Sequence, residues 1–199
     1  MDAKASGILE RLAVSGLEKC LARLSKVSAG TWRITGARLS WGTPEDALRQ
    51  HDFTNPTAAV YFNVKGGFPF TLMMLFDLNE IELVSKCFLG YAFPRAPGLT
   101  QPQEVLLLEL GNIILNSLIN SVLNALKRSC VPPAPRCVGG DLRRLLEELG
   151  GGMDLKQNFR IITVTLAIQC DTRASTSEVF GLIPEELADE LERLYKEER

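Results

Sequence analysis

The chain has 199 residues, 46% of them hydrophobic, which is enough to bury a sizeable core in one domain or two small ones. Its net charge is −2, from 22 basic and 24 acidic residues mixed along the chain, so it has no clustered basic patch of the kind that holds nucleic acid or an anionic membrane. The cysteines Cys20, Cys87, Cys130, Cys137 and Cys170 are odd in number and form no C-x-x-C pair, which argues for a reducing compartment and against a zinc or redox site. The first residues, "MDAKASGILERLAVSG", lack the unbroken apolar core of a secretory signal. No window reaches the ~18 uncharged apolar residues of a membrane span, so a cytoplasmic protein without membrane insertion is expected.

The elements follow in chain order. Residues Ile8 to Val27 place apolar side chains at three-and-four spacing, which predicts an amphipathic helix. "TWRITGARLSW" alternates as a strand, and Thr43 before Pro44 reads as the cap of a short helix. "AAVYFNVKGG" and "FPFTLMMLF" are two strands joined by a hairpin at Gly66 and Gly67, and "DLNEIELVSKCFLG" is a capped helix stopped by glycine. A long helix is expected from about Gln103 to Arg128, then a loop, "CVPPAPRCVGG". Asp141 caps a short helix that ends at Gly150, Gly151 and Gly152. The strands "FRIITVTLAIQC" and "ASTSEVFGLI" and a helix from Pro184 complete the chain.

Each half thus reads helix, irregular piece, strand pair, helix. That pattern predicts a single α+β domain of two related halves, approximately 1–100 and 101–199, with a largely antiparallel sheet.

The long helix, "LLLELGNIILNSLINSVLNAL", is apolar except for Glu109, Asn112, Asn116, Asn120 and Asn124. At about 100° per residue, Glu109, Asn112, Asn116 and Asn120 fall within an arc of roughly 80°. Leu107, Ile114, Leu118 and Val122 lie opposite and are expected to pack on the sheet. A solvated face is the ordinary source of such a stripe. Solvated faces, however, are rich in Lys, Glu and Arg, which form helices better than asparagine. Carboxamides instead offer a neutral donor and acceptor that can hold water or a polar partner. Gly111, beside the stripe, costs roughly 1 kcal/mol relative to alanine and suggests close approach by another surface.

"ELGNIILNSLINSVLNAL" resembles the signature helix of the CheC family of chemotaxis phosphatases, relatives of CheX and FliY. The E-x-x-N of that family is matched by Glu109 and Asn112, and Pro132, Pro133 and Pro135 lie in the region of its trailing proline. The segment "AAVYFNVKGGFPFTLMMLFDLNEIELVSKCFLG" resembles the strand–strand–helix of the family's first half, and the strands and helix after Gln157 resemble the second. Val105 departs from the motif, where the family has Asp or Ser. The second E-x-x-N of two-site members falls here on Arg11 and Val14, or on Val14 and Leu17, so one site at most is expected.

The resemblance implies a CheC-like fold and removal of the phosphoryl group from the aspartyl phosphate of a CheY-like response regulator. Asn112 would position the attacking water, and Glu109 would pair with a lysine of the regulator. Gly111 is expected to permit close docking of the partner. Asn116 would either extend the contact surface or hydrogen-bond to a neighbouring helix. Mg2+ is implied in the partner and not in this chain. A CheD-like receptor deamidase is a further implied partner. The alternative reading is an inactive CheC-like interaction module that binds a response regulator, deamidase or flagellar switch component. The sequence does not give the oligomeric state. His51, the sole histidine, reads as a surface-loop residue and excludes His-based triads and multi-His metal sites.

Overall fold

Alternation along the central strands shows where the core lies. In strand β2 (Thr57–Val64), Ala58, Val60, Phe62 and Val64 point to one face, and Ala59 and Tyr61 to the other. In β3 (Phe70–Asp77), Leu72, Met74 and Phe76 share the first face, while Met73 and Leu75 take the second. Both faces are buried, which is why these strands read as unbroken apolar runs. The computed structural model describes residues 3–66 and 69–197 of the chain.

Before β2 come helix α1 (Ala3–Val27), strand β1 (Thr31–Gly42) and helix α2 (Pro44–Leu48). After β3, a single 3-10 turn (Leu78–Glu80) leads into α3 (Ile81–Leu89). The second half holds α4 (Gln101–Ala125), β4 (Arg136–Gly140), α5 (Leu142–Gly150), β5 (Phe159–Cys170), β6 (Arg173–Ile183) and α6 (Glu185–Glu197). The class is α+β as expected. Six strands in the order β1-β5-β6-β3-β2-β4 form one sheet, antiparallel at every pairing. Exchanging β1, β2 and β3 for β4, β5 and β6 and reading from the other edge returns the same order.

The larger core lies between one sheet face and helices α1, α3, α4 and α6, and a smaller one lies under α2 and α5 on the opposite face. Local chemistry sets the element ends. The Thr43 hydroxyl accepts from Asp46 N–H while the Asp46 carboxylate accepts from Thr43 N–H at 2.8 Å, a capping box with Pro44 in the first turn. Gly90, at φ 86°, closes α3 in the left-handed conformation that glycine adopts without strain. Gln103 accepts from Thr100 N–H at 3.0 Å and donates to Pro94 O at 2.9 Å, tying the start of α4 to the preceding connection.

Two expectations are corrected. The segment expected as a loop after α4 contains β4, which pairs with β2 from Tyr61↔Arg136 to Thr57↔Gly140. It forms because β2 offers an open row of backbone groups, and its pairing needs only Val138 to be buried. His51 lies in the connection between α2 and β2 as expected, but not at the surface. Its side chain is 13% exposed, with Nδ1 2.5 Å from Glu178 Oε2 and Nε2 3.3 Å from Thr57 Oγ1, bridging to β6.

Contrary to the expectation that no segment would reach the length of a span, α4 alone among the described residues is long and apolar enough to cross a membrane. In this fold its apolar side is spent on the sheet: Leu107, Leu110, Ile114, Leu118 and Val122 are all buried.

Candidate functional site

The site is presented by α4, and two close contacts fix its position. Underneath, Gly111 meets β2: a Cβ added at Gly111 would lie 2.4 Å from Val60 Cγ1. The close approach that this glycine permits is therefore with the sheet, and Gly111, buried, is not part of a docking face. This corrects its expected role, because the residue lies on the inner side of the helix, where only a hydrogen atom fits.

Alongside, α1 packs on α4 through small residues. A Cβ at Gly16 would stand 2.8 Å from Ser121 Cβ, so the two helices approach closely there. The hydroxyl of Ser117 donates to Gly16 O at 2.9 Å, and that of Ser121 donates to Leu12 O at 3.0 Å. These bonds satisfy polar groups that the seam removes from water. The Cys20 thiol donates to Ile113 O at 3.5 Å, and burial raises its pKa above the ordinary thiol value, so it is not a poised nucleophile.

Held in this way, α4 turns its polar stripe outward. Glu109 is exposed, and its carboxylate has no hydrogen bond or ion pair among the described residues. Asn112 and Asn116 are half-buried, and Asn116 Nδ2 donates to Asn112 Oδ1 at 2.7 Å. Asn116 Oδ1 is buried and lacks a donor. Asn120 and Asn124 are exposed further along the same face. Together with Lys19, Cys20 and Arg23 of α1, the asparagines line an open groove of about 820 Å³.

The structure thus joins Asn112 to Asn116, places Glu109 on the same side of the helix about one turn earlier, beside a separate hollow, and leaves Gly111 out. Among the described residues, Asn116 does not hydrogen-bond to a neighbouring helix, one of its two expected roles; its amide donates instead to Asn112 on its own helix. In the first half, Arg11 is exposed, Val14 half-buried and Leu17 buried, so α1 carries no matching carboxylate and amide at those positions.

Sequence reasoning missed the apolar neighbourhood of Glu109. Val105, one turn earlier, is 60% exposed, and Leu89 and Tyr91 are 39% and 59% exposed. With Phe88, Phe93 and Leu106 they line a shallow hollow beside Glu109. Its only signal in the sequence is that aromatic and aliphatic residues persist past the end of α3, through "FLGYAF".

An α+β fold with a helix pair laid over a six-stranded antiparallel sheet, and a glutamate and carboxamides facing outward on one helix, defines the structural class. No family model matches the sequence, and no curated protein matches it. Solved structures do. FliY of Thermotoga maritima superimposes with a TM-score of 0.73 at 9% identity, covering 100% of this chain and 99% of that one. FliM in a FliG–FliM complex from H. pylori gives 0.67 at 12% identity, covering 94% and 98%. CheX of Borrelia burgdorferi, solved with CheY, BeF3 and Mg2+, gives 0.50 at 9% identity, covering 88% and 97%. The chain has the fold of the FliY, FliM and CheX structures over nearly its whole length.

Proposed function

We propose that the chain is a cytoplasmic phosphatase for the aspartyl phosphate of a CheY-like response regulator in chemotaxis or two-component signalling. The observation that carries this reading is that Glu109, exposed and without a partner among the described residues, stands three residues before Asn112 on α4, so that both project from one side of the helix. It is supported by the shared fold with CheX, which was solved in complex with CheY.

An acyl phosphate hydrolyses unaided, so this protein need not provide a nucleophile. What accelerates the reaction is a water held in line with the leaving oxygen, in a geometry that would otherwise cost entropy to reach. The Asn112 amide accepts from and donates to such a water without adding charge that would repel the phosphoryl oxygens. Glu109 supplies a charge-assisted hydrogen bond to a lysine of the regulator and so fixes the docked orientation. Mg2+ belongs to the regulator's site and neutralises the phosphoryl charge there.

The direct test follows the decay of a phosphorylated CheY-like regulator with and without the protein. Asn112→Ala is expected to remove the acceleration, a loss of about 10²-fold, while binding persists. Glu109→Lys is expected to weaken binding by about tenfold or more, the worth of a charged hydrogen bond.

Val105 favours a second reading, a FliM-like interaction module without turnover. Its exposed side chain adds an apolar surface next to Glu109 at the position where the CheC family has Asp or Ser. Binding of a regulator with no change in its decay rate would establish the module and exclude the phosphatase.

A further inference from the structure

We infer that Asn116 is a positioning residue that sets the orientation of the Asn112 amide, an inference that rests on the phosphatase reading above.

An asparagine side chain turns freely about its last torsion, where the energy surface is broad and nearly two-fold. Left alone, a half-buried Asn112 would present nitrogen and oxygen to solvent in turn. Only one of these arrangements can match a water whose lone pair must aim at phosphorus. A group that acts by orientation therefore needs its own orientation fixed.

Asn116 lies one turn further along α4, at the i,i+4 spacing that brings side chains together. Its Nδ2 donates to Asn112 Oδ1 at 2.7 Å. The bond uses one lone pair of Asn112 Oδ1. The second lone pair and both Nδ2 hydrogens of Asn112 remain for water and the phosphoryl oxygens. Donation into the carbonyl also polarises the amide, so its N–H groups become stronger donors. Asn116 does not need to touch the partner to have this effect. It is less exposed than Asn120 and Asn124, which continue the stripe beyond it.

The arrangement of Asn116 fits this task better than that of a docking residue. Its Oδ1 is buried without a donor, while its Nδ2 is committed to Asn112. A side chain that reached for a partner would leave its hydrogen-bonding groups outward and available. Here one group is directed at Asn112 and the other is turned inward.

The test compares Asn116→Leu, which keeps the size and removes the donor, with Asn116→Asp, which keeps the shape and can only accept when ionised. Each is measured for decay of a phosphorylated regulator in the wild-type and Asn112→Ala backgrounds, with circular dichroism as the check on folding. Both variants are expected to lower kcat by about tenfold while KM for the regulator stays unchanged, since a misoriented amide costs rate and not docking. In the Asn112→Ala background neither change is expected to lower the rate further. In 15N spectra the Asn112 side-chain amide is expected to shift in both variants.

An active wild-type protein whose Asn116→Leu variant keeps full kcat overturns the inference. So does a change confined to KM, which would make Asn116 a contact residue, or an effect that persists unchanged without Asn112. Wild-type protein that does not accelerate decay at all overturns the phosphatase reading, and this inference with it.

Discussion

Gly111 shows how a single residue can be read correctly for space and wrongly for place. A glycine in the middle of a long helix implies that a side chain is not tolerated. The surface that excludes it is Val60 of β2, 2.4 Å from where a Cβ would sit. Valine is β-branched and stiff, so it cannot swing clear. Gly111→Ala is therefore expected to destabilise the fold by about 1–3 kcal/mol by overpacking, despite alanine's better helix propensity. Pairing it with Val60→Ala should recover part of the loss, which urea denaturation of the two single variants and the double would measure. The stripe itself was legible, because Glu109, Asn112 and Asn116 differ in polarity from everything around them and the helical period alone aligns them. Val105 and Tyr91 were not, since nothing local marks an apolar residue as exposed. The same holds for His51, whose partner Glu178 is 127 positions away in the chain.

Elements whose signals are local matched their readings: the hairpin strands, the capped starts of α2 and α5, and the glycine stop of α3, although Asp77 caps the 3-10 turn before α3 and not α3 itself. Strand β4 did not, because a five-residue strand containing Gly139 and Gly140 has too little pattern of its own and exists through its pairing with β2. The capping box of α2 permits a test by pH. The Asp46 carboxylate accepts from the Thr43 backbone N–H and hydroxyl, and these bonds, the backbone one first, hold its pKa below the ordinary carboxylate value. A group whose pKa is lower in the folded state stabilises the fold above its unfolded value, about 3.9 for aspartate, and loses that contribution as pH falls through the folded value. Asp46→Ala should accordingly lower the urea midpoint at pH 7, and the gap from wild type should narrow on acidification below about pH 4. A gap that stays constant from pH 7 to pH 2 would show that the carboxylate charge is not the source of the effect.

At the scale of the molecule, the two halves meet at three of the five strand pairings, β1 with β5, β3 with β6 and β2 with β4, and again where α1 packs on α4. The succession of helix, strand pair and helix was readable twice in the chain, but the interleaving of β5 and β6 between β1 and β3 was not. Strand order depends on which long-range pairs close, and no periodicity encodes that. Since each half completes the other's core, the chain is expected to unfold in one transition. Tryptophan fluorescence, from the buried Trp32 and the exposed Trp41, and far-UV circular dichroism should give coincident urea curves. Two separate transitions would mean that the halves are independent units.

The candidate groups stand on the outer side of α4, whose inner side is the larger core and whose flank is fastened to α1. Local opening of such a segment is almost as costly as opening the whole molecule, so its backbone amides should rank among the slowest to exchange with solvent. Glu109 and Asn112 are thereby denied the motions that loops and lids use to close over a substrate. In the proposed encounter with a regulator, any adaptation therefore falls to the regulator, which meets a template that stays fixed.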